Sequence, residues 1–307
     1  MTAYGVMFHH FFDSFHPRGQ GAISGEELKA LLEYLGRDRI LPAQEWMSRA
    51  LAGTLGDDDL CLTFDDALRC QYDIAFPILD DLGLTAFWFV YSSVFEGNWE
   101  SLEVYRYFRT TAFSSVEEFY RDFFQSVAEV YPAEYQAVAA QFDPASYLPE
   151  FSIYGLEDRR FRYFRDQILG PARYQGLMQS MMSQKGFNPL DITGMLWMND
   201  DHLLALRKAG HLIGLHSYTH PTRLADQPVE AQAHEYEKNF KHLARVLGEN
   251  PVAMSHPCNS YDDLTLRILE RLGIRLGFRA NMERMVQPSP LEFPRKDHAI
   301  IMKELRS

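Results

Sequence analysis

Four side chains in this sequence have the types and the placement that metal-assisted hydrolysis requires. Asp65 and Asp66 end the segment Thr63-Phe64-Asp65-Asp66, and His216 and His220 bracket His216-Ser217-Tyr218-Thr219-His220-Pro221. Two imidazoles and one carboxylate form a common open ligand set for Zn²⁺ or a similar divalent ion. A second carboxylate beside that set can take the proton of an attacking water. Neighbouring carboxylates at a strand end cannot both do the same job, so one would ligate while the other stays free as base. Alone, an Asp pair reads more readily as a helix cap, and a lone His pair as structural. The two segments together favour the chemistry.

Each segment follows an apolar run that must position it. LCLTF at 60–64 is a buried strand leading into Asp65, and HLIGL at 211–215 is a strand leading into His216. One helical turn after the second strand would bring His216 and His220 to the same side. YGVMFH at 4–9, LTAFWFVY at 84–91, PVAMSH at 251–256, IRLGFR at 274–279 and HAIIM at 298–302 read as further strands. Between them lie helix signals. Ser24 with Glu27 forms a capping box for a helix ending near Leu35, and residues 67–82 form a helix before Gly83. Asp200 or Asp201 caps a helix ending at Gly210. Pro228 opens one ending near Gly248, and Asp262 or Asp263 caps one ending at Gly273. Such alternation implies a parallel barrel or an open parallel sheet, with the functional residues at strand ends.

Residues 96–195 differ in character. Aromatics recur at helical spacing in VYRYFRTTAF, VEEFYRDFFQSVAEVY and RRFRYFRDQIL, with Pro132, Pro144, Pro149 and Pro171 as dividers. This stretch is expected to be a mostly helical insertion within one catalytic domain spanning 1–307. It would pack structurally, cover the catalytic face or form a dimer surface.

The two segments resemble the first two motifs of the NodB-homology polysaccharide deacetylases (carbohydrate esterase family 4), TFDD and H-[ST]-x-x-H-[PST]. Both match residue for residue and in order. The resemblance implies an α/β fold, a distorted, incomplete (β/α) barrel, here carrying the long helical insertion. It implies Asp65 as catalytic base and Asp66, His216 and His220 as ligands of one divalent ion, Zn²⁺ by expectation. The family's third motif, R-x-P-[YF], is replaced here by Ser255-His256-Pro257-Cys258. The Arg that normally pairs with the base is therefore missing, and Arg295, then Arg279, are the candidate substitutes. The family's late His corresponds to His298, a candidate for the catalytic acid that protonates the leaving amine, with His9 as the other. Arg295 and His298 would serve one site only if the strand between them breaks. His9 and His256 sit at strand ends and are expected to line or support the pocket. No thiol-protease signature surrounds Cys258.

Composition narrows the class. At 307 residues and 46% apolar the chain can bury a large core. A net charge of −12 excludes the basic field that nucleic acid or an anionic membrane would need. No apolar run reaches the length of a membrane span. The N-terminal segment does not read as a signal peptide, and Cys61, Cys70 and Cys258 form no ligand-spaced pair. These features lead to the expectation of a cytoplasmic protein with a small-molecule or glycan substrate; assembly into a homo-oligomer stays open. The function expected is hydrolysis of an N-acyl group, acetyl foremost, from an amino sugar in intracellular polysaccharide or glycoside biosynthesis. The rivals are a deformylase or other C–N hydrolase on a non-polymeric substrate, and an inactive carbohydrate-binding homologue.

Overall fold

In a computed structural model, residues 3–148, 155–286 and 288–306 are described; Pro149 lies outside them. The chain divides into two compact units, Met1–Glu100 with Ile192–Ser307, and Ser101–Asp191.

The first unit opens with β1 (Tyr4–Phe8), α1 (Gly25–Leu35), α2 (Ala43–Ala52) and β2 (Leu60–Asp65). A π-type turn at Gln71–Ala75 leads into α3 (Phe76–Asp81), and β3 (Phe87–Val90) follows. The second unit is helical among the described residues: α4 (Ser101–Thr111), α5 (Val116–Val130), α6 (Pro132–Gln141), α7 (Leu156–Tyr163) and α8 (Gly170–Gln184). Back in the first unit come α9 (Thr193–Leu196), α10 (Asp200–Lys208), β4 (Leu212–Leu215) and α11 (Val229–Leu247). β5 (Ala253–Ser255), α12 (Asp263–Arg271), β6 (Leu276–Phe278), β7 (Arg295–Asp297) and α13 (His298–Arg306) complete it.

Seven parallel strands run in the order β6-β5-β4-β3-β2-β1-β7. The gap between β6 and β7 is nearly closed by the segment just before β7, where Phe293 N donates to Gly277 O and Arg279 N donates to Phe293 O, both at 2.9 Å. The result is a distorted (β/α) barrel. Alternation along each strand decides what lies inside. Cys61, Phe87, Phe89, Ala253, Leu276 and Phe278 fill the interior together with Trp46 of α2. Phe64 of β2 faces the other way and stacks on Trp88 at 4.2 Å between centroids.

Three expectations are corrected. HAIIM is the start of α13 rather than a strand. β7 stops after three residues, Asp297 Oδ1 accepts from Ala299 N at 2.7 Å, and His298, Ile301 and Met302 are buried at helical spacing. The helix expected from residue 67 begins at Arg69 and runs into the π-type turn, because Asp66 and Ala67 take positive φ of 78° and 53°. Asn199, not Asp200 or Asp201, caps α10. The capping boxes at Ser24 and Asp262 form. Among the described residues no helix is long and apolar enough to cross a membrane.

The closing seam depends on Gly277. A Cβ there would lie 2.4 Å from Leu291 O and 2.7 Å from Leu291 Cα, both backbone atoms that cannot swing aside. We predict that Gly277→Ala destabilises the protein by about 1–3 kcal/mol, the usual range for a forced backbone shift. Urea unfolding measures it, and an unchanged midpoint would contradict the close packing of this seam.

Candidate metal and catalytic centre

The strand alternation that builds the interior also delivers the site. Thr63 and Asp65 face inward at the end of β2. β4 presents His216 one residue past its end, and β5 ends on Ser255. Asp66 continues past β2 in a left-handed conformation, as do Ser217 (φ 64°) and His220 (φ 56°) after β4. The two His are therefore brought together by a left-handed loop, not by the helical turn that their spacing suggested. Non-glycine residues in this region carry strain and persist only where surrounding contacts hold them.

Those contacts are specific. Glu235 of α11 accepts from Tyr218 N at 2.9 Å, Thr219 N at 2.7 Å and Thr219 Oγ1 at 2.7 Å, which fixes the loop between the His pair. His220 N donates to Ser217 Oγ at 3.1 Å. Asn239 of α11 donates to Val90 O and accepts from His216 N, tying the ends of β3 and β4. Gln71 donates to His9 O at 2.8 Å and Asp65 O at 2.6 Å, tying the ends of β1 and β2. Met198 N donates to Ala67 O at 2.9 Å behind the Asp66 turn. Gln71, Glu235 and Asn239 were not singled out from sequence. Their only signal there is a polar residue on the buried face of an otherwise apolar helix.

Asp66, His216 and His220 form a group whose ligand atoms lie within 4.8 Å of one another. Each Nε2 is 3.4 Å from Asp66 Oδ1. Tetrahedral coordination with bonds of about 2.0–2.1 Å separates ligand atoms by roughly 3.3–3.4 Å, so the spacing fits a Zn²⁺-sized ion. Asp66 Oδ1 is buried and accepts no hydrogen bond among the described residues. Such an atom is costly unless a cation or donor completes it. The group therefore fits a divalent ion.

Asp65 is bound differently. Arg295, itself buried, donates Nη1 to Asp65 Oδ1 at 2.7 Å and Nη2 to Oδ2 at 2.8 Å, a bidentate pair. Its stem crosses β1 at Gly5, where a Cβ would sit 3.2 Å from Arg295 Cγ and 3.1 Å from Thr63 Cγ2. Ser255 Oγ lies 3.2 Å from Asp65 Oδ1 and 2.7 Å from His216 Nδ1. One hydroxyl can satisfy both, donating to the carboxylate and accepting the ring N–H. That arrangement leaves the His216 Nε2 lone pair facing Asp66. Burial acts to raise the Asp65 carboxyl, but Arg295, His216 and His9 outweigh it and hold the group below the usual carboxylate range. Asp66 is likewise buried, and the three imidazoles His220, His216 and His9 pull it well below that range.

The remaining candidates separate. His9 stands at the site, its Nε2 3.9 Å from Asp65 Oδ2 and from Asp66 Oδ2, with its side chain 27% exposed. His298 does not reach the site. Its Nδ1 faces Met7 O at 3.2 Å, its Nε2 faces Gly21 O at 2.9 Å, and its ring stacks on Phe8. Because β7 ends at Asp297, His298 is the first residue of α13 and turns outward beside β1. The expectation that it is the acid is corrected on that geometry. His256 is fully buried, stacks on Tyr261 at 3.9 Å, and bonds Leu291 O through Nε2 at 2.9 Å. Burial pushes its pKa down to about 3, so it props the closing seam rather than offering a charge to the pocket. Arg279 bonds Glu292 O, Asn281 and Glu283 O, and its own carbonyl accepts from Arg295 Nε at 2.7 Å. It steadies Arg295 and does not pair with Asp65.

The polysaccharide deacetylase family model matches residues 191–277, the stretch holding the His pair. No curated protein matches the chain significantly. Among solved structures, the deacetylase PplD of Streptococcus pyogenes in complex with acetate is 14% identical, with a TM-score of 0.58 over 97% of this chain and 92% of that one. IcaB from Ammonifex degensii is 15% identical, with a TM-score of 0.55 over 96% and 90%. The BpsB deacetylase domain from Bordetella bronchiseptica is 13% identical, with a TM-score of 0.53 over 96% and 95%. At these identities the likeness is one of fold. The resemblance to the NodB-homology deacetylases thus holds in sequence over 191–277 and in fold over nearly the whole chain.

The loop clamp generates a prediction. Removing the Glu235 carboxylate frees the backbone between the two His. Glu235→Ala should lower Zn²⁺ affinity by roughly 10–100-fold, the range for partners that orient ligands, while the protein stays folded. Competition with a chromophoric chelator reads it; parental affinity would show that the loop holds its shape without Glu235.

Proposed function

We propose that the chain is a metal-dependent hydrolase that removes an N-acyl group, acetyl foremost, from an amino sugar in polysaccharide or glycoside biosynthesis. The observation that carries this reading is the pairing of two unlike carboxylates. Asp66 faces two imidazole nitrogens, and Asp65 is clamped by Arg295 beside them. The sequence match over 191–277 and the fold shared with deacetylases support the acyl-sugar class. The same reading treats residues 1–307 as one catalytic domain with a helical insertion at 96–195.

Asp66, His216 and His220 would hold the ion, which when bound polarises an acyl carbonyl and lowers the pKa of water. Asp65 is the base. Arg295 occupies one side of both carboxylate oxygens and keeps the group ionised, and Oδ2 keeps a face toward His216 and His9. That oxygen accepts the proton of the attacking water. Ser255 holds Asp65 and His216 in register through one hydroxyl. The amine leaving group needs a proton, and His9 is the partly exposed imidazole at the site. We assign the acid to His9, with His298 as a strut beneath it.

Acetate release from N-acetylglucosamine oligomers by the Zn²⁺-loaded protein tests the activity. Asp65→Asn should keep its metal by elemental analysis and lose turnover by about 10² or more, the size of a general-base contribution. Near-parental kcat in that variant would place the base elsewhere. The acid is tested by comparing an amide with an activated ester, whose leaving group needs no proton. His9→Ala should lose far more turnover on the amide than on the ester, and His298→Ala should show equal losses or only reduced stability. The reverse pattern would return the role to His298.

A further inference from the structure

A cavity of about 390 Å³ lies among the segments that follow β2 and β3, α9 and the start of α10, all within the first unit. Its size falls within the roughly 300–1,000 Å³ usual for small-molecule sites. β2 and β3 are paired neighbours, so the cavity sits at the strand ends that also deliver Asp65 and Asp66. Two of its lining residues join it to the metal group. Trp197 Nε1 donates to the Tyr91 hydroxyl, and the Tyr91 ring lies 5.2 Å from the His220 ring. Met198 N donates to Ala67 O, next to Asp66, at 2.9 Å.

The lining combines aromatic surface with planar polar groups. Phe95 and Trp197 supply the first, and Arg69, Asn199, Asp200 and Asp201 the second. Arg69 Nε already donates to Asp73 at 2.8 Å. Asp200 is held by His242 Nε2 at 3.1 Å and by Arg245 at 3.5 Å. Asn199 Oδ1 accepts from His202 N as the cap of α10, which leaves its amide N–H groups to donate. Asp201 is exposed and has no hydrogen-bond or ion-pair partner among the described residues. An anionic ligand would therefore meet two acids and one arginine that is already paired. A pyranose ring fits instead. Its apolar C–H face suits the aromatic wall. Its hydroxyls can donate to a carboxylate and accept from an amide, and an amine on the ring would pair with Asp201.

We infer that this cavity is a subsite for a neutral or amine-bearing pyranose ring, filled by a sugar unit other than the one that carries the acyl group. The inference rests on the reading of the chain as an acyl-sugar hydrolase, and it makes the substrate an oligomer rather than a single sugar. Gly194 leaves the cavity open, since a Cβ there would meet nothing within 4 Å. A larger side chain at that position would enter the cavity without displacing its wall.

Isothermal titration of the whole protein with the glucosamine tetramer, which has no acyl group to hydrolyse, reads the subsite apart from the reaction. Saturable binding that Gly194→Leu weakens by about tenfold or more supports it, the scale of losing a charge-assisted hydrogen bond. Gly194→Leu leaves the net charge unchanged, so its effect is distinct from general attraction between a cationic ligand and an acidic chain. If it fails to fold, Gly194→Val takes its place. Asp201→Asn should weaken binding as well. Absence of saturable binding overturns the subsite, as does parental affinity in the folded Gly194 variant. If binding falls as expected but the parent protein releases no acetate from the acetylated tetramer, the subsite stands and the hydrolase reading falls.

Discussion

The bidentate pair between Arg295 and Asp65 is the constraint around which the barrel interior is built. A carboxylate taken out of water needs a close and well-oriented counter-charge, or it protonates and ceases to be a base. That counter-charge comes from β7, two strands away from β2. The guanidinium crosses β1 at Gly5, where a Cβ would press on Arg295 Cγ at 3.2 Å. β7 is in turn placed by the seam at Gly277, where the chain before Arg295 packs backbone to backbone on β6. Arg279 and His256 secure that seam from either side through carbonyls. Closing the barrel and keeping Asp65 ionised are therefore one structural event.

Much of this was legible in sequence, and for identifiable reasons. LCLTF and HLIGL read as buried strands, which placed Asp65, Asp66 and His216 at strand ends; the separate roles of the two carboxylates came only from the family resemblance. The capping box at Ser24 needs only local chemistry and formed as expected, and of the two caps considered for α12 it is Asp262 that caps. The distorted parallel barrel followed from the strand–helix alternation and the family resemblance together, although β7 at Arg295–Asp297 was not among the runs read as strands. What failed were short apolar runs whose period is ambiguous. HAIIM fits a strand by composition, and only the capping carboxylate of Asp297 and the burial of Ile301 and Met302 make it a helix. His298 lies away from the site, as alternation from an inward Arg295 along an unbroken strand would also have placed it.

The polar residues that bind strand ends together were illegible for a different reason. Gln71, Glu235 and Asn239 each satisfy backbone groups distant in sequence, and nothing local marks a helix residue as a bridge between two strand termini. Yet the site depends on them. Four residues at or beside the Asp66–His216–His220 group sit at positive φ, with strain of order 1–3 kcal/mol each. A loop of that kind survives in water only if its amides are held, and Glu235 holds two of them with one carboxylate.

The position where the family's third motif carries Arg holds Ser255, and the exchange has a geometric logic. A guanidinium delivered from β7 already pairs with both oxygens of Asp65, so the charge partner that an Arg on β5 would supply is in place. A hydroxyl there is small enough to fit beneath the pair. It is also amphoteric, donating to Asp65 while accepting from His216. An arginine offers donors only and could not accept that ring proton. With the cation on β7, Ser255 of β5 links Asp65 to His216 through one atom. The hydroxyl keeps Asp65 paired with Arg295 while joining it to His216, whose Nδ1 also faces the Ser255 carbonyl at 3.0 Å.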